Sequence, residues 1–218
     1  MADKKEVKSK QDNFSVALGL FDYINPIFYS ITMITLVKNM RGVMDKGTFI
    51  LFVIGATVSL IFGLTIPTVK LIVGLGYMKF KLPVNLVFYV NSGILLSGIA
   101  LLATVMELKP LALAAILLVV LAILAAVIIK TGKFNTVAVL TGAAGYLMIY
   151  TCMIALSRRM GVPAPVYLYA TAICLFLFLC GLGIKGNLKD ARVHWVIESC
   201  NVLCQGCVAL ATVLLFRG

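Results

Sequence analysis

Seven apolar stretches, each long enough to cross a lipid bilayer and each separated from the next by a short charged loop, dominate the sequence. Of the 218 residues, 62% are hydrophobic and the mean hydropathy is +1.09, whereas soluble domains use about 45–50% apolar residues. A water-soluble fold of this length cannot hide so much apolar surface, so the solvent must be lipid. The sequence therefore predicts an all-α, polytopic membrane helix bundle.

A helix needs about 20 apolar residues to cross about 30 Å of hydrocarbon. The spans predicted on this basis are 14–38, 48–77, 83–106, 110–130, 135–157, 164–184 and 195–216. The fourth has no polar side chain between its ends and is expected to face lipid. The first is interrupted by Asp22, Asn25 and Pro26, so the bundle has six spans instead if this segment is interfacial or broken. Residues 14–218 then form one transmembrane domain, preceded by a disordered, basic cytoplasmic tail at 1–13.

Lysine and arginine counts in the loops predict the orientation, because cytoplasmic loops are enriched in both. With seven spans, the side that holds the N-terminus carries Lys4, Lys5, Lys8, Lys10, Lys79, Lys81, Lys130, Lys133, Lys185, Lys189 and Arg192. The opposite side carries Lys38, Arg41, Lys46, Lys109, Arg158, Arg159 and Arg217. This excess predicts a cytoplasmic N-terminus in a plasma or bacterial inner membrane. Contact with lipid headgroups also accounts for the net charge of +11, so no nucleic-acid partner is predicted.

Ionisable side chains inside a span are costly and suggest a functional site. Asp22 lies about 12 Å into the first span and Lys70 about 10 Å from the same side in the second, at 1.5 Å per residue. The seventh span places four polar residues on one helix face: His194, Glu198, Asn201 and Gln205. We therefore predict a cytoplasm-facing polar cavity. The residues expected to bind a solute or ion there are Asp22, Asn25, Lys70, Asn91, Glu198 and Asn201.

The same residues have a purely structural interpretation. Lys70 can extend its ammonium along the helix toward the headgroups, and Glu198 can lie at the interface beside Trp195. Asp22 can cap a helix that begins at Ile24, which would shorten the first span. The sequence leaves both interpretations open.

Small residues recur every four positions in the second and third spans. Gly55, Ser59 and Gly63 form one such stripe, and Gly93 and Ser97 form another. Stripes of this kind allow helix backbones to approach closely in lipid. They predict packing contacts and say little about function.

Residues typical of catalysis or of a metal site are sparse. The chain has one histidine and no G-x-S-x-G, H-E-x-x-H or glycine-rich phosphate loop, so we expect no enzymatic activity. Cys204 and Cys207 form a C-x-x-C motif inside the seventh span, without a second motif or a histidine partner. Packing is the favoured interpretation of these cysteines, and no metal or other cofactor is predicted.

Two functional classes fit these observations best. The leading hypothesis is a small transporter, or the membrane subunit of one, in which the helices rock around the polar cavity to move a small solute or cation. The alternative is a non-transporting scaffold or assembly subunit of a larger membrane complex, supported by the small-residue stripes and basic loops. Membrane lipid is the expected partner in both cases, with a partner subunit or a second copy of the chain as further possibilities. A channel, which would need an oligomer, ranks third.

Overall fold

The computed structural model describes residues 15–77, 84–132, 134–185 and 191–217. These residues are 89% helical and include no strand. Their helices are α1 (Val16–Asp22), α2 (Ile24–Met40), α3 (Lys46–Gly74), α4 (Val84–Val105), α5 (Pro110–Thr131), α6 (Phe134–Arg159), α7 (Pro163–Lys185) and α8 (Ala191–Leu215). Seven segments are long and apolar enough to span a membrane, because α1 and α2 together form one segment, Val16–Met40. The all-α membrane bundle is confirmed, and the predicted tail at 1–13 lies outside the described residues.

The first span continues through its polar interruption. Only Tyr23 separates α1 from α2, and its φ of −65° and ψ of −18° keep the chain in the helical region. Pro26 is the third residue of α2. The first four backbone N–H groups of a helix have no partner within the helix, so a proline there removes no hydrogen bond. The interruption is therefore a joint within an apolar segment of 25 residues, which is long enough to span a membrane.

Six helices form a closed ring. Each contacts the next in the order α2, α3, α4, α6, α7 and α8, and α8 then packs on α2. The short α1 lies mainly on α3. Three spans on each side of α5 thus contribute to the ring, which encloses the largest group of buried apolar side chains.

The fourth span, α5, lies outside the ring, where it packs on α6 and α4. Its mean hydropathy is 3.4 and only 6% of its residues are buried. Leu113 packs inward against Ile99, whereas Leu111 and Leu118 are 83% and 68% exposed. These side chains are exposed on the outside of the bundle, and contact with lipid stays the prediction from the sequence.

The small residues bring α3 and α4 into backbone contact. A Cβ at Gly55 would lie 2.6 Å from the carbonyl oxygen of Gly93, and a Cβ at Gly93 would lie 2.5 Å from that of Gly55. The Ser59 hydroxyl donates a 2.7 Å hydrogen bond to the Val90 carbonyl across the same contact. Packing by this stripe is confirmed except at Gly63, where a Cβ would meet no atom within 4 Å.

Candidate functional site

Three charged residues from three helices meet inside the bundle. Lys70 lies four residues before the end of α3, Asp22 ends α1, and Glu198 is the eighth residue of α8. The Lys70 ammonium is 2.7 Å from Asp22 Oδ2 and also forms an ion pair with Glu198 Oε1. All three residues are buried, with exposed fractions of 5–6%. We call Asp22, Lys70 and Glu198 the charged cluster.

Asn25 joins the two carboxylates from a fourth helix. Its side-chain amide donates to Asp22 Oδ1 at 3.0 Å and to Glu198 Oε2 at 3.2 Å. The joint between α1 and α2 allows this, since it keeps Asp22 and Asn25 one helical turn apart on the same face. The Tyr23 hydroxyl at the joint is 2.7 Å from Thr68 Oγ1 of α3, two residues before Lys70.

The charged cluster has more negative than positive charge. When all three groups are ionised, two carboxylates face one ammonium, which leaves a net charge of −1 on the cluster. A buried net charge is unfavourable unless it is neutralised or paired. The arrangement can therefore take up a proton on a carboxylate or hold a further cation beside it.

A cavity of about 180 Å³ extends from the charged cluster into the centre of the ring. Its lining comes from α1, α2, α3, α4, α6 and α8. The polar lining residues other than the charged cluster are Asn25, Tyr29, Ser59, Tyr146, Asn201 and Gln205. The remaining lining residues are Pro26, Leu60, Gly63, Ile66, Pro67, Val90 and Ile94. One end of the cavity is thus charged, and the rest combines hydrogen-bonding groups with apolar walls.

Two polar atoms on the cavity wall have no hydrogen-bond partner among the described residues: Asn25 Oδ1 and the Tyr29 hydroxyl. Both residues are 8% exposed and lie one turn apart on α2. The Tyr29 hydroxyl lies beside Ser59 and Ser97, whose own hydroxyls donate to backbone carbonyls. The oxygens of both serines can still accept from the Tyr29 hydroxyl, so Asn25 Oδ1 is the atom left with an unused acceptor next to the charged cluster.

Of the six residues predicted from the sequence, the structure brings four into direct contact: Asp22, Asn25, Lys70 and Glu198. Asn201 lines the cavity one turn further along α8. Asn91 lies elsewhere, because its side-chain amide donates a 2.8 Å hydrogen bond to the Ala138 carbonyl and joins α4 to α6. Asn91 therefore makes a packing contact and is not among the residues that line the cavity, and a binding role for the six residues stays a prediction.

The structural interpretation of the charged residues does not fit the geometry. Lys70 is buried and paired, so its ammonium does not extend to the headgroups. Asp22 ends α1 instead of capping α2, whose start has no side-chain cap. Trp195 packs on Phe21 with ring centroids 5.5 Å apart, while Glu198 points inward.

Several residues that line the cavity were not among the predicted site residues, including Tyr29, Ser59 and Tyr146. Tyr29 follows Asn25 by four residues, which places both on one face of α2 and was a usable signal. Ser59 was assigned to packing alone, although it also lines the cavity. Tyr146 also lines the cavity; in the sequence it lies one turn before Tyr150, a spacing that left both cavity lining and packing open, with packing favoured.

The cysteines contribute to packing. Cys204 is buried, with its thiol 3.3 Å from the Ala172 carbonyl and 3.6 Å from the Tyr150 hydroxyl. Across the ranges that the structure describes, no three His, Cys, Asp or Glu side chains are grouped so that they could hold a metal ion.

No protein-family model, curated protein or solved structure matches this chain. Its function is therefore inferred from the charged cluster, the cavity and the ring of helices. Seven apolar helices identify it as a multi-pass integral membrane protein.

Proposed function

We propose that this protein is a small transporter, or the membrane subunit of one, that moves a small solute or ion through the central cavity. The observation that carries the proposal is the charged cluster at one end of a cavity lined by helices of the ring. Ionisable groups buried in membrane proteins typically belong to substrate pathways or proton relays. Helix packing alone does not require them.

The excess carboxylate provides a way to couple binding to movement. A proton or cation that binds at Asp22 or Glu198 neutralises the cluster and changes the strength of both ion pairs with Lys70. Two irregular points adjoin this site: the joint at Tyr23 and Pro67, which lies within α3. Irregular helices at the binding site are a common element of transporters that rock between two states.

The charged cluster and the predicted cytoplasmic side coincide. Asp22, Lys70 and Glu198 lie four to seven residues from the helix ends that share a side with the N-terminus, a depth of about 6–10 Å. The loop charges assign that side to the cytoplasm. We therefore propose that the cavity faces the cytoplasm, in a plasma or bacterial inner membrane.

The alternative of a scaffold subunit has less support. Its main sequence evidence was the small-residue stripes, and Gly55 and Gly93 contact each other within the bundle. They are therefore not free to bind another subunit. A stoichiometric partner that co-purifies with the protein, together with normal function of cluster variants, would favour the scaffold.

The test is electrical. We expect proteoliposomes on a solid-supported membrane to give transient currents after a rapid step in proton or sodium concentration. Glu198→Gln should reduce these currents at least tenfold, because it removes the excess negative charge. Glu107→Gln is the matched control, since Glu107 lies exposed between α4 and α5. Equal currents from Glu198→Gln and the wild type, or no current from either, would contradict the proposal.

A further inference from the structure

The unpartnered atom on α2 beside the charged cluster restricts the chemistry of the solute. Asn25 Oδ1 is an acceptor, so its partner must offer an N–H or O–H group. Its amide nitrogen already donates to both carboxylates, which places a donor bound to Oδ1 close to the charged cluster. Tyr29, whose hydroxyl lies beside Ser59 and Ser97, follows one turn later on α2, about 6 Å along the helix axis.

The charge of the cluster restricts the solute further. Because the cluster carries a net −1 with all groups ionised, a monocation would make it neutral. An anion would add to the excess negative charge, and with a neutral molecule the charge would have to be compensated by a proton on a carboxylate. Lys70 shows that both carboxylates bind an ammonium, since its Nζ is paired with each of them.

The walls restrict the shape of the solute. Beyond the charged cluster the cavity is lined by apolar side chains, including Leu60 and Ile94, by Tyr146, and by the hydrogen-bonding side chains of Ser59, Asn201 and Gln205. A bare inorganic cation would leave this part without contacts. The volume of about 180 Å³ is below the ~300–1,000 Å³ of pockets for drug-sized ligands, so the solute has to be small.

From these three restrictions we propose that the cavity binds a small organic ammonium ion, a primary amine with a compact apolar or aromatic body. The ammonium lies beside Asp22 and Glu198 and donates to Asn25 Oδ1. The body extends along α2 toward Tyr29 and Tyr146. The proposal rests on the proposed transport function and names the class of solute for the same site.

The experiment compares three probes of one shape with the purified protein in detergent micelles by calorimetric titration. Benzylamine is cationic at neutral pH, benzyl alcohol is neutral and benzoate is anionic, and sodium chloride tests a cation without an organic body. We expect benzylamine to bind at least tenfold more tightly than benzyl alcohol or sodium. Benzoate should give no measurable binding.

Variants separate the site from general adsorption to the micelle. Glu198→Gln should weaken benzylamine binding at least tenfold while Lys70 keeps its pair with Asp22, and Tyr29→Phe should weaken it severalfold with the cluster intact. Glu107→Gln should bind as the wild type does. Melting temperature and size-exclusion profile check that each variant folds, and Asp22→Asn replaces Glu198→Gln if that variant does not.

Equal binding of benzylamine and benzyl alcohol would overturn the inference, as would wild-type affinity in Glu198→Gln. If benzylamine fails to bind while proton or sodium currents persist, the solute class is wrong and the transport function stands. If benzylamine binds as expected but currents are absent from every preparation, the transport function fails and the amine site remains.

Discussion

The two ends of α3 are held in the bundle by different interactions. Nine residues after its start, Gly55 contacts the backbone of Gly93 so closely that no side chain fits between the helices. Four residues before its end, Lys70 is bound by the carboxylates of Asp22 and Glu198 beside a cavity. We call these the glycine contact and the charged cluster.

The comparison separates a contact that stabilises the folded bundle from a group of charges that folding does not require. In lipid, close backbone contact through small residues stabilises helix association without transferring any charge from water. A buried ion pair has to overcome a large desolvation cost, and apolar residues of similar volume often replace it with no loss of stability. The glycine contact is therefore sufficient to explain packing, and the charged cluster points to binding.

The largest expected effect comes from removing the central ammonium. Lys70→Met leaves two buried carboxylates without their cation, which should lower the free energy of unfolding by about 3–5 kcal/mol. SDS titration of the purified protein, followed by circular dichroism, measures this loss. The triple variant Asp22→Asn/Lys70→Met/Glu198→Gln should recover most of the stability and none of the proton or sodium current. A triple variant that keeps the current would remove the distinction between the two ends of α3.

The next effect tests the glycine contact. Gly55→Ala places a Cβ 2.6 Å from a backbone oxygen, which should lower the free energy of unfolding by about 1–3 kcal/mol. Gly63→Ala is the matched control on the same stripe, because a Cβ there meets no atom within 4 Å. The same titration should show no loss of stability for the control. Equal losses from both variants would contradict the assigned contact.

The smallest effect concerns the start of α3. Asp45 caps this helix by accepting from the backbone of Gly47 and Thr48 at 3.0 and 3.1 Å. Asp45→Ala should lower stability by about 1 kcal/mol at pH 7. Hydrogen bonds from the Thr48 side chain and backbone hold the pKa of Asp45 below its ordinary value of 3.8. The difference should thus persist above about pH 4 and shrink as pH falls through the lowered pKa.

Asp45→Asn is the control for this pH dependence. Asparagine also caps helices but does not titrate, so this variant should keep most of the stability at every pH. The measurement is the difference in melting temperature from the wild type at pH 7 and pH 3. A difference for Asp45→Ala that does not change between these values would contradict the role of the carboxylate.

Membrane spans were predictable because a bilayer imposes length and hydropathy on every helix that crosses it. The charged cluster was partly predictable for the same reason, since Asp22, Lys70 and Glu198 are rare exceptions to that composition at similar depths. The joint at Tyr23 was harder to predict. Polar residues and a proline in sequence do not show whether a helix stops or only bends.

The failures have a common cause. Depth along a span can be read from sequence, whereas the direction in which a side chain points around the helix depends on the neighbouring helices. Asn91 has a suitable depth but faces the backbone of α6 at Ala138. Tyr29 shares a helix face with Asn25 in the sequence, but that this face lines the cavity follows only from the packing of α2 between α8 and α3.

The position of α5 outside the ring determines how the first three spans contact the last three. Because α5 crosses the bilayer once between them, the first three spans and the last three spans run through the bilayer in the same directions. The two groups contact each other mainly along two helix pairs, α4–α6 and α2–α8. The α4–α6 contact is tight, because a Cβ at Gly145 would lie only 2.6 Å from the Leu95 nitrogen. This pair of helices therefore resembles a hinge. The α2–α8 contact includes the hydrogen bond from Asn25 to Glu198. Under the proposed transport function, neutralising that carboxylate would weaken this contact and leave the α4–α6 contact unchanged.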